Sequence, residues 1–214
     1  MEVADLDLSD LDPRLGDVEI VAVTDVRNPL TGPQGAAQVY GPQKGLTPGQ
    51  VRAIDTAMQA WAQLLRTAGR PDFDQDSPGT GAAGGVGAAI LGGLGGTLTP
   101  GAPFVLDAVG FDAGLATAQL VVTGEGSWDE QSLHGKAPAE VLRRAHARGV
   151  PAAIIAGRVA SRDGLAELGV RSVTALIDLT GDASVAMRDA ERLLEEAGAA
   201  LGTAWRSLQK TQNG

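Results

Sequence analysis

The sequence predicts an α/β protein built on parallel strands, and three observations predict it. Short apolar runs recur along the 214 residues: VEIVAVTD (18–25), AQLVVTG (118–124), PAAIIAG (151–157) and SVTALID (172–178). These runs are nearly continuous, as strands buried on both faces are, rather than alternating apolar and polar. Segments with helical spacing lie between them, and that alternation implies a parallel sheet covered by helices. The regular part begins near residue 116. We therefore expect βαβ units of a Rossmann- or flavodoxin-like half over 116–214, and part of a second α/β domain with Gly-rich loops over 1–115.

Taken in order, EVADLDLS (2–9) alternates apolar and polar residues and reads as an edge strand. VEIVAVTD is the first buried strand and ends on Asp25. NPLTGPQGAAQVYGPQKG (28–45) is a Gly/Pro-rich ordered loop with a helical turn around Gly35 to Tyr40. Thr47-Pro48-Gly49-Gln50 carries the capping-box pattern with Pro at the first helical position. Val51, Ile54, Met58, Trp61 and Leu65 follow at helical spacing, so 48–68 is one amphipathic helix stopped at Gly69. RPDFDQDSPG leads into a Gly/Ala helix. A short helix over 103–110 precedes the strand at 118–124. Beyond it we expect a helix at 137–148 ended by Gly149, the strand PAAIIAG, a short helix near 163–168, the strand SVTALID ending on Asp178, and one helix over 184–208. In that last helix Ala190, Leu193, Leu194, Ala197, Leu201, Trp205 and Leu208 form one stripe.

Composition excludes several functions. A formal net charge of −9 opposes nucleic-acid backbones and anionic membrane surfaces. The absence of cysteine removes disulfides, zinc ribbons and thiol catalysis. His134 and His146 are the only histidines, too few for a His-cluster metal site. From Ser77 to Leu106 no residue is charged, yet GAAGGVGAAILGGLGG is mostly Gly and Ala, and prolines flank it. It reads as a closely packed soluble helix and not a membrane span. The opening MEVADLDLSD has no basic and no apolar signal region, so we expect a cytoplasmic protein.

Three Gly-rich stretches compete for a phosphate role. Gly135-Lys136 looks like the end of a Walker A loop, but the required first glycine is Glu130 and the final hydroxyl is Ala137. GTGAAG (79–84) fits GxGxxG, with Asp107 at the distance of a ribose-binding acid, but no strand precedes Gly79, so dinucleotide binding lacks its context. Close helix packing is the main reading, and anion binding at the N-terminus of the Gly/Ala helix stays open. TDVRNPLTGPQGAAQVYGPQKG places Asp25, Asn28, Gln43 and Lys44 in one loop system. Carboxylate, amide and ammonium groups on an ordered backbone suit a small polyhydroxylated anion. The other reading of that stretch is an elaborate turn with a solvated Lys44.

LVVTGEGSWDEQSLHGKAP (120–138) is the richest stretch. Glu125 and Asp129, flanking Gly126 just past a strand, and Lys136, at the start of a helix, form a set able to bind Mg²⁺, accept a hydroxyl proton and neutralise a moving phosphoryl group. His134 reads as a loop contact. In parallel sheets ligands bind beyond the carboxyl ends of the strands, which independently selects Asp25, Glu125 and the 157–161 loop.

Taken together, TDVRNPLTGPQGAAQVYGPQKG, GTGAAGGVGAAI and VVTGEGSWDEQSLHGKAP resemble, in the same order, the three motifs of the bacterial glycerate kinase family. The resemblance runs from about Asp5 to the C-terminal helix. It implies ATP-dependent phosphorylation of D-glycerate to a phosphoglycerate, with Mg²⁺ accompanying the nucleotide and either hydroxyl as acceptor. It further implies substrate or phosphate contacts from Asp25, Asn28, Gln43, Lys44, Gly84, Gly85, Gly124, Gly126 and Gly135. Glu125, Asp129 and Lys136 are left for catalysis, the two carboxylates also for the metal. Two departures stand out: Ser127 replaces the family's Arg or Lys, and Trp128 a smaller apolar residue. The chain resembles only the C-terminal half of the family, whose N-terminal portion is absent. Self-association or a partner supplying that half follows as an expectation, and the competing reading is a non-catalytic remnant that binds a ligand or partner. A dinucleotide-dependent oxidoreductase, resting on GTGAAG alone, is the third.

Overall fold

The computed structural model describes residues 4–129, 132 and 136–212. Two compact units divide the chain, Met1–Gly101 and Ala102–Gly214, and every strand pair in them is parallel.

The predicted edge strand at 2–9 is absent over its described residues, 4–9. Asp5 and Asp7 accept hydrogen bonds from the Leu6 and Ser9 backbone N–H groups, which turns the chain locally instead of leaving it for a ladder. The first strand, β1 (Val21–Thr24), is shorter than its apolar run. It pairs with β2 (Thr97–Pro100), a strand the sequence did not announce. Between them run α1 (Ala36–Tyr40) and α2 (Pro48–Leu64). The Thr47–Gln50 capping box is formed at the start of α2, and a π-type turn carries the helix on to Gly69. Leu30, Ala62, Leu65, Phe73 and Ala88 make the core of this unit.

The Gly/Ala stretch is not one helix. Ala83, Gly84 and Gly85 have φ of 50°, 73° and 107°, so the chain reverses before α3 (Val86–Ala88) and the π-type turn Ala89–Gly93. Three successive left-handed residues cannot continue a right-handed helix. The small residues do serve close packing, since a Cβ at Gly92 would press on the Phe73 ring at 3.0 Å.

The helix expected at 103–110 is α4 (Gly101–Ala108), followed past Gly110 (φ 67°) by α5 (Phe111–Leu115). The second sheet has the order β3 (Val121–Thr123), β5 (Ala152–Ala156), β7 (Val170–Ala175). A short pair, β4 (Ser127–Trp128) with β6 (Arg158–Val159), extends it beyond the strand ends. Between β3 and β5 lies α6 (Ala137–Ala147), closed by Gly149 at φ 68°. Ile154 packs with Trp128, Leu142 and Leu165, whereas its neighbour Ile155 packs with Leu176, Ala186 and Leu193. Successive strand residues face opposite ways, so this sheet is covered on both faces.

Three predicted elements change. Residues 163–169 form turns rather than a helix, with Gly164 and Gly169 in the left-handed region. Asp178 does not end a strand: β7 stops at Ala175 and the apolar residues continue as α7 (Leu176–Thr180). The last helix is two, α8 (Ala183–Arg188) and α9 (Ala190–Gln212). Asp189 leaves helical geometry at φ −104° and ψ 22° while its carbonyl still accepts from the Leu193 N–H. Of the expected stripe, Leu193 and Ala197 are buried and Leu194 and Leu208 are exposed. Among the described residues no helix is long and apolar enough to cross a membrane.

Buried Arg144 on α6 ties its neighbours together. Its guanidinium donates to Glu140, Asp107, Asp112 and the Pro103 carbonyl. Asp107 is thus an ion-pair partner, and GTGAAG follows turns and not a strand, which removes the dinucleotide fingerprint. Arg143, and then Arg144, hold the Glu140 carboxyl below its ordinary range. A group whose folded pKa is depressed contributes stability above its unfolded value and loses it as pH falls through the folded one. Thermal midpoints measured from about pH 5 down to about pH 3 should therefore fall less in Glu140→Gln than in the parent chain, since an unfolded glutamate titrates near about 4.3. Parallel curves would show that Glu140 gives no acid sensitivity.

Candidate active site

In the first unit the loop after β1 is held by its own side chains. Asn28 donates from Nδ2 to the Gln34 carbonyl (2.8 Å) and accepts at Oδ1 from the Tyr40 hydroxyl (2.7 Å). Its carbonyl accepts from the Gly81 N–H, joining the NPL loop to the GTGAAG loop. Asp55 accepts from the Gly32 N–H at 3.0 Å. Sequence reasoning missed Asp55, although its signal was there: a carboxylate four residues after Val51 lies on the apolar stripe of α2. Asp25 follows β1, with its carboxylate over Gly101 at the start of α4, where a Cβ would come within 2.7 Å of Oδ1. Gln43 and Lys44 sit exposed on the 3₁₀ turn Pro42–Lys44, closed by Gly45 at φ 84°. Gly84 is exposed at the reversal, whereas Gly85 is buried, where a Cβ would press on Trp61 at 3.1 Å and Leu30 at 3.2 Å.

In the second unit the chain leaves β3 through Gly124, Glu125 and Gly126. A Cβ at Gly124 would collide with the Ile155 carbonyl oxygen, so only glycine permits this approach to β5. The Gly157 and Arg158 N–H groups donate to the Glu125 and Gly126 carbonyls, each at 3.1 Å. Glu125 is mostly buried. Its Oε2 is 3.4 Å from Lys136 Nζ, and its Oε1 is fully buried with no hydrogen-bond partner among the described residues. An unsatisfied buried carboxylate oxygen costs stability and marks a place where a proton, a cation or a donor is wanted. Lys136 stands immediately before α6, with extended backbone. Asp129 is turned inward: its Oδ1 accepts from the Ser132 backbone N–H (3.2 Å) and hydroxyl (3.3 Å). Gly135 and His134 lie outside the described residues.

Beyond the carboxyl ends of β3, β5 and β7 opens a cavity of about 810 Å³. Gly124, Glu125, Gly126 and Ser127 line one side, with Gly157 and Arg158 adjoining, and Leu176, Ile177, Met187 and Leu194 give it an apolar side. A larger hollow, about 1080 Å³, lies at the opposite ends of the strands and has no carboxylate in its lining. The first is where a parallel sheet places its ligand, and it contains Glu125. The structure thus gathers Gly124, Glu125 and Gly126 on one cavity and joins Lys136 to them through Glu125, while Asp25, Asn28, Gln43, Lys44, Gly84 and Gly85 belong to loops of the first unit.

The glycerate kinase family model matches residues 1–206. The glycerate kinase of Halalkalibacterium halodurans is 37% identical over 197 residues, covering 92% of this chain and 52% of its own length. The glycerate 2-kinase of Escherichia coli is 37% identical over 187 residues, covering 87% and 49%. The crystal structure of a putative glycerate kinase 2 from Salmonella typhimurium LT2 superposes with a TM-score of 0.64 at 40% identity, covering 80% of this chain and 43% of that one. The chain spans about half the length of the curated relatives it matches. With the family model covering nearly all of it, the chain belongs to the glycerate kinase family.

Proposed function

We propose that the chain phosphorylates D-glycerate with ATP as donor and Mg²⁺ on the nucleotide, in the cytoplasm. The observation that carries this reading is Glu125 at the strand ends, its buried Oε1 without a partner among the described residues and its other oxygen paired with Lys136, in a chain of this family. In the reaction a glycerate hydroxyl oxygen attacks the γ-phosphorus, the bond from that phosphorus to the bridging oxygen breaks, and ADP leaves. Glu125 receives the hydroxyl proton, and Lys136 offsets charge on the phosphoryl oxygens. Asp25, Asn28, Gln43 and Lys44 serve glycerate or phosphate contacts, with the Gly84–Gly85 backbone.

The donor set suits a magnesium ion held mainly by phosphates. Glu125 offers one oxygen without a partner among the described residues, whereas Asp129 is turned onto Ser132 and does not line the cavity, and no cluster of three His, Cys, Asp or Glu exists among the described residues. Magnesium characteristically takes one or two carboxylates plus phosphate oxygens. When bound it would neutralise charge on the nucleotide.

The test is ADP release by the 214-residue chain with Mg-ATP and D-glycerate, with ³¹P NMR of the product. We expect turnover that requires D-glycerate, and the spectrum assigns the acceptor hydroxyl. A folded sample without turnover would overturn the reading for this chain alone. The half-length match favours a second reading in that event: a non-catalytic ligand- or partner-binding chain, to be tested by adding a polypeptide that supplies the rest of the family fold.

A further inference from the structure

Ser127 leaves the loop after β3 with no cation of its own, and Lys136 is already engaged by Glu125. A second cation is nevertheless present. The β4–β6 register sets Ser127 opposite Arg158 and Trp128 opposite Val159. Directly opposed residues of a sheet project from the same face, and successive residues from opposite faces. Trp128 is 1% exposed and packs in the core with Val159, which sends Ser127 and Arg158 the other way. Both indeed line the 810 Å³ cavity, and among the described residues Arg158 is the only Arg or Lys that does.

Arg158 is exposed, and among the described residues its side chain has no ion-pair or hydrogen-bond partner, although Glu125 shares the cavity. Its backbone is fixed, because its N–H donates to the Gly126 carbonyl at 3.1 Å and the Gly157 N–H to that of Glu125 at 3.1 Å. A guanidinium on so short and rigid a base presents a planar fork of donors, the geometry that phosphate oxygens accept. Across the cavity Leu176, Ile177, Met187 and Leu194 offer an apolar wall. A ligand with an anionic chain at one end and a flat, weakly polar ring at the other matches both sides.

We propose that Arg158 is the phosphate-binding cation of this cavity, supplied from β6 at the position opposed to Ser127, and that the cavity takes the polyphosphate and base of the nucleotide. The identity of the ligand rests on the kinase reading above, whereas the anion role rests on the register and the lining.

Isothermal titration of the 214-residue chain with ATP, tripolyphosphate and adenosine, without metal, separates the two. We expect Arg158→Ser to weaken ATP and tripolyphosphate at least about tenfold and leave adenosine unchanged. The exchange variant carrying Ser127→Arg and Arg158→Ser should recover most of that loss, because the two positions share a face. If Arg158→Ser binds both anions like the parent chain, or if the parent chain binds neither, the proposal is overturned. Arg158-dependent binding of tripolyphosphate without any binding of ATP would sustain the anion site and overturn the nucleotide reading. ATP binding indifferent to Arg158 would do the reverse. An exchange variant no better than Arg158→Ser overturns the shared-face placement.

Discussion

Glu125→Gln should lower D-glycerate-dependent ADP release at least about a hundredfold, the scale of a lost proton acceptor, and leave the thermal midpoint unchanged or raised. Both halves of the expectation come from one atom. Oε1 is buried without a partner among the described residues, so the folded chain gains little from this carboxyl group. Lys136, at 3.4 Å from the other oxygen, compensates weakly because its own side chain is 41% exposed. Gln keeps the shape and removes both the charge and the basic oxygen. Initial rates and thermal unfolding on the same sample decide the matter: a variant that loses rate and stability together would identify Glu125 as a structural residue. Lys136→Met, which removes a cation needed chiefly while charge moves, should cost turnover at least about tenfold.

Much of this placement was legible in the residues, for physical reasons that also mark where legibility stops. Thr47 and Gln50 announce the start of α2 because a capping box is a local device, complete within four residues. That Asp25 and Glu125 lie just past strand ends is legible from the apolar runs alone, because the rule for strand ends requires only that the strands be recognised. β2 escaped because Thr97–Pro100 is four residues long, carries a proline and follows a run of glycines; its pairing with β1 comes from a distant segment. The reversal at Ala83–Gly85 was hidden because glycine is compatible with both the helix expected and the left-handed turn observed. The break at Asp189 was hidden because the stripe through Leu193 and Ala197 belongs to α9 whether or not α8 precedes it in phase. The rule for strand ends selects the 157–161 loop, which contains Arg158, but gives no reason to single out that side chain. Its place beside Ser127 is a matter of register, and register between β4 and β6 is set thirty residues away in the chain.

Trp128, in that same two-residue pair, gives the second large expectation. Trp128→Ala should destabilise the fold by about 3–5 kcal/mol, the usual cost of emptying a buried aromatic site. Trp128 is the largest fully buried side chain and lies between Leu142 of α6, Ile154 of β5 and Leu165. Its carbonyl accepts from the Ala160 N–H at 2.8 Å, so the same residue that fills the core also closes the two-residue ladder. In a pair this short, few hydrogen bonds oppose slippage, and a slip of one residue would turn Arg158 from the cavity toward the core. Denaturant unfolding should therefore show the loss in Trp128→Ala, and a much smaller one, under about 1.5 kcal/mol, in Trp128→Phe, which keeps most of the apolar volume. The informative comparison is tripolyphosphate affinity in the two variants at a denaturant-free temperature where both are folded. If the core anchor sets the register, affinity falls with Ala and persists with Phe; equal affinity in both would mean that the backbone bonds from Gly157 and Arg158 hold the site without it.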